Sequence, residues 1–342
     1  MPDNQKPLLE IKNLHVDFDV YGGTLNVLDG INLTVHKGEK IGLVGETGCG
    51  KTTTMRTVMR VLQSPPGKIT AGEIMYDGRD LLNVSNSEMR QVRGRDITMI
   101  FQDPMSSLNP VFTVEQQFRP VIKHALHEQR LSNRQVREHA SQSLTDVALA
   151  DPERLLKAYP TQLSGGMRQR VCIGLALATS PNLLIADEPG TALDVTIQAQ
   201  VLRLLNNLVE QKQTSIILIT HSLGVVREMA DRVYVMYAGT VVESAPTKTL
   251  FAKPSHPYTQ GLMDAVPKLS GGGVSLGIEG RIPDYLDPPT GCRFHTRCPH
   301  VMPICKEKKP KLISLNADGH EAACFLYDPQ VKSSTKQETA GV

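Results

Sequence analysis

Residues 40–62 constrain the fold more than any other stretch. An apolar run, "KIGLVG", leads into "GETGCGKTT" and then into "KTTTMRTVMRVL", which reads as a helix. Gly45, Gly50, Lys51 and Thr52 satisfy the spacing G-x-x-x-x-G-K-[ST]. A strand that ends in such a turn and runs directly into a helix makes an anion cradle. The backbone N–H groups of Gly45, Glu46, Thr47, Gly48, Cys49 and Gly50 can wrap a polyphosphate, and the helix start adds partial positive charge. Lys51 would reach the β- and γ-phosphates, and Thr52, followed by Thr53, would bind Mg²⁺ through its hydroxyl. Cys49 lies at the helix N-terminus beside Lys51. Both features lower a thiol pKa, so a reactive thiol is expected there, with a small residue chosen for fit as the alternative.

The chain around this loop alternates strands and helices. Residues 8–44 read as strands broken by glycine, as do "AGEIMYDGRDL" and "DITMIFQ". From about 105 to 180 the character becomes helical. "TVEQQFRPVIKHALHEQ" is one helix, and "SNRQVREHASQSLTDVAL" is a second that opens with Ser132 and Gln135 in capping-box spacing. Strand signals return at "NLLIADE", "SIILITH" and "RVYVMYAGTVVES". This alternation implies an α/β sheet with crossovers and a helical insertion. "KLSGGGVSLGIEG" at 268–280 reads as a linker, and the polar tail "VKSSTKQETAGV" as disordered.

Two further stretches carry chemistry. Asp187 ends an apolar run and fits Mg²⁺ binding through water, and Glu188 fits a base that polarises an attacking water. Ser164 can cap a helix that begins with Gly165 and Gly166, leaving bare N–H groups for an anion.

Taken together, the chain resembles the ATP-binding subunits of ABC transporters along nearly its whole length. "GETGCGKTT" is similar to their Walker A, "LLIADE" to their Walker B and "LSGGM" to their signature. Gln102 in "IFQDP" resembles the Q-loop glutamine, which also approaches Mg²⁺. Asp194 in "ALD" resembles the D-loop, and His221 in "ILITHS" the switch histidine. Phe18 sits near the family's adenine-stacking aromatic, with Tyr21 as a substitute. The resemblance implies an α/β P-loop NTPase of the ABC ATPase class, with an antiparallel β subdomain, a helical subdomain and a small C-terminal cysteine-rich extension. It also implies a head-to-tail dimer, each ATP lying between one subunit's Walker A and the other's signature. The expected divisions are an ATP-binding domain at 1–265, an extension at 266–330 and the tail at 331–342.

"QDPMSSLNP", "LSGGMRQRV", "TALDVTIQAQ", "HPYTQGL" and "GCRFHTRCP" look like the dipeptide/oligopeptide importer branch. That branch implies a paralogous ATPase partner, with a homodimer as the alternative. It also implies two membrane permeases, which "PMSSLNPVFTV" would approach, and an external solute-binding protein. Related systems carry peptides, nickel or short sugars. Gly190 stands where the branch usually has Thr, and its backbone freedom is expected to loosen the loop after Glu188. A soluble ABC-type ATPase of DNA repair or translation is the competing class. It usually carries long coiled-coil insertions or two cassettes, whereas this chain has one cassette and a short Walker A to signature spacing.

Totals narrow the partners. The 342 residues carry 37 basic and 35 acidic side chains and no Trp, so neither a broad basic footprint nor a base-stacking surface for nucleic acid is indicated. "KEKKPK" at 306–311 reads as a solvated face. No apolar run suits a membrane span and no signal-peptide pattern opens the chain, so the expected location is the cytoplasmic face of the cell membrane. Stable disulfides are rare there. Yet Cys292, Cys298, Cys305 and Cys324 cluster near the C-terminus. Metal is the remaining reading, either tetrahedral Zn²⁺ or a four-thiolate iron–sulfur cluster, and the spacing alone does not choose. The family resemblance favours [4Fe–4S], while His295 and His300 keep zinc open. The segment is remote in sequence from the ATP motifs, so no part in hydrolysis is expected of it.

Overall fold

Strands Leu9–Val20 and Gly23–Val35 turn back on each other at Tyr21 and Gly22. Their apolar residues do not keep strict alternation: Leu9 and Ile11 are followed by Leu14 and Val16, and all four are buried. A register shift between Ile11 and Leu14 absorbs the extra residue, with Asn13 at φ 46°. A bulge of this kind keeps one face apolar on both sides of the slip, and Asn tolerates the left-handed region. Strand Gly67–Tyr76 pairs antiparallel with Leu9–Val20, and Arg79–Asp80 completes a four-stranded antiparallel sheet.

The computed structural model describes residues 6–191, 193–265 and 277–331. Of the expected linker at 268–280, residues 268–276 lie outside them, as does the tail after Val331. The chain divides into two compact units. The first joins the residues up to Val35, Ile41–Leu82 and those from Thr220 onward; the second joins His36–Lys40 and Asn83–Ile219.

In the first unit, Ile41–Val44 pairs parallel with Arg232–Tyr237, and both runs are almost wholly buried. Strands covered on both faces read as continuous apolar runs, as "KIGLV" and "RVYVMY" do. "RVYVMYAGTVVES" is two strands rather than one. Ala238 and Gly239, at φ 43° and 77°, form the two-residue turn into Thr240–Pro246. The far edge of Thr240–Pro246 is covered by Glu321–Ala322 and then Ile313–Ser314, two short strands from the cysteine-rich end. That end has no separate core. Phe294 packs with Tyr237 and Tyr258 at ring separations of 5.1 and 5.5 Å, and Ile278, Ile282, Cys292 and Cys298 join the same cluster. Lys309 is more than a solvated charge, because its ammonium bonds the Asp29 carbonyl at 2.7 Å and pairs with its carboxylate at 2.8 Å.

The second unit holds three parallel strands, Ile97–Ile100, Leu183–Asp187 and Ser215–Ile219. Helices Val114–Ala125 and Asn133–Asp146 each open on a capping box, Thr113 with Gln116 and Ser132 with Gln135, the second as the spacing predicts. The first buries Val114, Phe118, Ile122 and Ala125, one face of a 3.6-residue period. Arg137 joins these helices to the next turn through Glu115 and Glu153, both at 2.7 Å. Among the described residues no helix is long and apolar enough to cross a membrane.

Candidate nucleotide site

The sequence motifs are distributed over both units. In the first unit the loop 45–50 leaves the strand Lys40–Val44 and enters the helix Lys51–Val58. Gly45 has φ 148°, and a Cβ there would lie 2.1 Å from the Met236 carbonyl oxygen, so no other residue fits. Gly50 caps the helix in the left-handed region with no side-chain hydrogen bond. The first helical N–H groups therefore have no capping side chain, the arrangement that favours an anion. Thr47 and Gly48 are exposed at the loop tip. Lys51 is 6% exposed, and its ammonium bonds the Gly45 and Glu46 carbonyls at 2.7 and 3.0 Å.

The loop is braced from outside. The Tyr258 hydroxyl accepts the Glu46 N–H at 2.9 Å, and the Tyr285 hydroxyl donates to the Gly48 carbonyl at 2.8 Å. Arg297 donates to both Glu46 carboxylate oxygens, at 3.0 and 3.2 Å. Sequence reasoning missed all three. The branch-like stretches "HPYTQGL" and "GCRFHTRCP" contain Tyr258 and Arg297 without giving either a role, and no local signal points to Tyr285. Phe18 is half-buried on the antiparallel sheet and Tyr21 is fully exposed at the hairpin tip. His221 is exposed just before the helix Leu223–Met229.

Cys49 departs from the expectation of a reactive thiol. Its side chain is fully buried, and burial pushes the thiol pKa up despite the nearby Lys51, whose ammonium is 3.6 Å from the sulfur. Desolvation outweighs the cation here. Maleimide is expected to leave Cys49 largely unlabelled in the native protein and to modify it after denaturation; rapid native labelling that MgATP blocks would contradict this.

In the second unit Asp187 ends the strand Leu183–Asp187 and is 2% exposed. Glu188 follows at φ 47°, a left-handed conformation strained for this residue type and of the kind found at functional sites. It is held there by its N–H on the Ile219 carbonyl at 2.9 Å and its carbonyl on the Gly190 N–H at 2.7 Å. The Glu188 carboxylate accepts from Gln102 Nε2 at 3.2 Å and from Thr191 Oγ1 at 2.8 Å. Thr191 was not foreseen, although it stands three residues after Glu188 in "EPGTALD". Gly190 does not use glycine's conformational freedom. It has no left-handed φ, and a Cβ on it would lie 2.7 Å from Gln198 Cγ. Its lack of a side chain makes room for Gln198 of the helix Val195–Lys212. Asp194 is exposed at the start of that helix; Ala192 lies outside the described residues.

Ser164 caps the helix Gly165–Leu177 by accepting the Met167 N–H at 3.3 Å, as the sequence predicts. Gly165 and Gly166 open the helix half-exposed. Gln169 anchors it by donating to the Pro189 carbonyl at 2.7 Å.

The comparisons agree with this geometry. Residues 28–191 match the ABC transporter family, and 242–305 match the family described as oligopeptide/dipeptide transporter, C-terminal region. The dipeptide transport ATP-binding protein DppD of Bacillus subtilis (strain 168) is 45% identical over 326 residues, covering 95% of this chain and 96% of that one. The oligopeptide transport ATP-binding protein OppD of the same organism is 44% identical over 325 residues, covering 94% and 89%. Among solved structures, the ATP-binding cassette MJ0796, dimeric and bound to ADP and Pi after hydrolysis, superposes with a TM-score of 0.63 at 26% identity. That match covers 70% of this chain and 98% of the other. Fold and site thus define an α/β P-loop ATPase of the ABC class. The chain belongs to the family of ATP-binding proteins of oligopeptide and dipeptide ABC transporters.

Among the described residues no group of three or more His, Cys, Asp or Glu is arranged to hold a metal ion. The four C-terminal cysteines nonetheless lie near enough to influence one another: negative charge on Cys292, Cys298 and Cys305 would raise the Cys324 pKa further. Burial is the larger cause, taking Cys292 to about 11 and Cys324 to about 12. The backbones of Phe294 and His295 beside Cys292, of His300 beside Cys298 and of Leu326 beside Cys324 pull these thiol pKa values down, less strongly than burial pushes them up. His295 is engaged through Nδ1 with the Cys292 carbonyl at 3.0 Å, and His300 is exposed.

Proposed function

We propose that this chain hydrolyses ATP to energise import of di- and oligopeptides by a membrane-bound ABC transporter. The observation that carries the reading is the phosphate loop with its uncapped helix start, in a chain similar along 95% of its length to a dipeptide-transport ATPase. The residue roles follow. Backbone N–H groups of 45–50 and the Lys51 ammonium bind the phosphates, Lys51 exchanging its loop carbonyls for phosphate oxygens. Thr52, Asp187 and Gln102 would hold Mg²⁺, which when bound neutralises charge on the β- and γ-phosphates. Glu188 takes a proton from water, with Thr191 orienting its carboxylate and His221 reporting the γ-phosphate. Ser164, Gly165 and Gly166 offer the helix N-terminus to ATP on a second ATPase subunit, with Asp194 beside that interface. Phe18 stacks on adenine.

The partner reading has its own support. Met105, Val111 and Phe112 are large apolar side chains 57%, 69% and 47% exposed, in the segment directly after Gln102. Such a patch suits the cytoplasmic helices of two permeases. A paralogous ATPase and an external binding protein complete the assembly, the chain lying peripherally on the cytoplasmic face. Its ATP-binding domain is 1–265 and its extension 266–330. Copurification with two apolar permeases, and ATP turnover stimulated by peptide-loaded binding protein, test the assignment. Stimulation by nickel or a short sugar instead of peptide would redirect it.

The four cysteines are proposed to hold a [4Fe–4S] cluster. The all-thiol donor set is the one such a cluster uses, and bound iron would supply the positive charge that offsets the burial and mutual repulsion now raising these thiols. Zinc held by the same thiols with His295 or His300 is the alternative; among the described residues no three such ligands are arranged to hold either metal group, so metal analysis decides. Cluster binding would cross-link 292–324 and displace the thiol protons. Anaerobic purification is expected to give a brown protein with broad absorbance at about 400 nm and about four irons per chain. Cys305→Ser is expected to lose them. A colourless anaerobic preparation with one zinc and no acid-labile sulfide would reject the cluster.

A further inference from the structure

We propose that Arg297 and Tyr285 are positioning residues of the phosphate loop, with Arg297 cancelling the loop's one carboxylate so that ATP meets no net negative charge there. The inference rests on reading 45–53 as the phosphate-binding loop.

Glu46 is the only acidic residue between Gly45 and Thr53. A carboxylate in a loop that binds a polyanion works against its task unless a cation answers it. Lys51 does not answer it, since its ammonium is directed at the loop carbonyls and the phosphates claim it. Arg297 does, with one guanidinium nitrogen 3.0 and 3.2 Å from the two oxygens. The guanidinium is also fixed. Nε donates to the Glu279 carbonyl at 2.8 Å and Nη2 to the Ile278 carbonyl at 3.0 Å, and the group stacks 5.7 Å from the Tyr237 ring centre. Its side chain is 5% exposed and that of Glu46 28%, so solvent reaches the pair only from the carboxylate side. Glu46 thereby becomes a strut that fixes the loop instead of a repulsive charge.

Tyr285 acts on the other side of the loop. Its hydroxyl occupies the Gly48 carbonyl, while its own carbonyl accepts the Asn26 N–H at 2.8 Å. A loop carbonyl engaged in this way is not free to present its oxygen to an anion. Residues 278–297 are thus a fixed outer wall of the loop, and Arg297 is also the immediate neighbour of Cys298. The cysteine segment, unassigned to hydrolysis on sequence grounds, is in contact with the phosphate loop.

The test is nucleotide affinity of the full-length chain, measured by calorimetry with ATP and with ADP. Arg297→Gln is expected to weaken ATP about tenfold, because the Glu46 carboxylate is left facing the phosphates without its cation, and ADP less because it carries one charge fewer. Adding Glu46→Gln is expected to restore ATP affinity to within about threefold of wild type, a charge compensation that a merely structural arginine would not give. Arg297→Lys should fall between the two. Should Arg297→Gln fail to fold, Glu46→Gln alone reads the same interaction. It leaves the Arg297 charge uncompensated and is expected to tighten ATP by about threefold. Equal losses of ATP and ADP affinity, absence of rescue in the double variant, or weaker ATP binding by Glu46→Gln overturns the proposal. Lys51→Ala is the control. If it binds ATP normally, the reading of the loop fails and takes the proposal with it. If Lys51→Ala loses affinity and Arg297→Gln does not, only the proposal fails.

Discussion

Glu188→Gln in the assembled transporter is expected to lower ATP turnover by about 10²–10⁴-fold while nucleotide still binds. The substitution is nearly isosteric. Gln can still accept from Gln102 Nε2 and Thr191 Oγ1, which hold the carboxylate at 3.2 and 2.8 Å, so the loop has no reason to rearrange. What is lost is the ability to take a proton from water. The backbone at φ 47° is strained for a glutamate, as residues at functional sites often are, and the substitution leaves that geometry in place. Steady-state phosphate release and nucleotide affinity, measured on the same preparation, separate chemistry from binding. Turnover within threefold of wild type would remove Glu188 from the base role. Loss of binding along with turnover would mean that the residue shapes the site instead.

The largest expected effect on stability comes from Glu243→Ala. Glu243 is fully buried in the strand Thr240–Pro246. Its carboxylate accepts from the Ser255 N–H at 2.7 Å, the His256 N–H at 2.9 Å and His320 Nε2 at 2.7 Å. One side chain thus fastens three segments of the first unit: a sheet strand, the entry to the helix Pro257–Asp264, and the hairpin of the cysteine-rich end. Alanine strands two buried backbone donors and an imidazole, a loss of about 3–5 kcal/mol. The melting temperature is expected to fall by several degrees or more. Glu243→Gln keeps an acceptor and should fall less. Melting of the alanine variant within a degree of wild type would show that water or local rearrangement replaces the carboxylate.

Glu243 also illustrates where sequence reading stops. The phosphate loop was legible because its chemistry is local: strand, turn, lysine and helix follow one another within about 20 residues, and each step has a residue signature. Ser164 as a helix cap and Ser132 with Gln135 as a capping box were legible for the same reason. The supports of the loop were not. Tyr258 lies 212 positions from Glu46 and Tyr285 lies 237 from Gly48, and a lone Tyr or Arg carries no mark of what it will meet. Cys49 failed differently. Its neighbours in sequence were read rightly, but pKa follows solvent exposure, which the linear order of residues does not contain. Gly190 shows a further limit: glycine offers both backbone freedom and small size, and the closeness of Gln198, which makes size matter here, is not legible in the sequence. The expected strand "RVYVMYAGTVVES" missed only its turn, although Ala238-Gly239 is a weak form of the two-residue hairpin signal.

The Glu46–Arg297 contact joins residues 251 positions apart. On the ribosome, synthesis at about 5–20 residues per second puts about 12–50 s between the appearance of the two. The loop sequence therefore emerges long before its outer wall does. A nascent or prematurely ended chain of about 265 residues would contain every ATP-binding motif and still carry Glu46 unanswered and Gly48 unheld. By the measure expected for Arg297→Gln, such a chain would bind ATP about tenfold more weakly than one in which residue 297 has emerged and folded onto the loop.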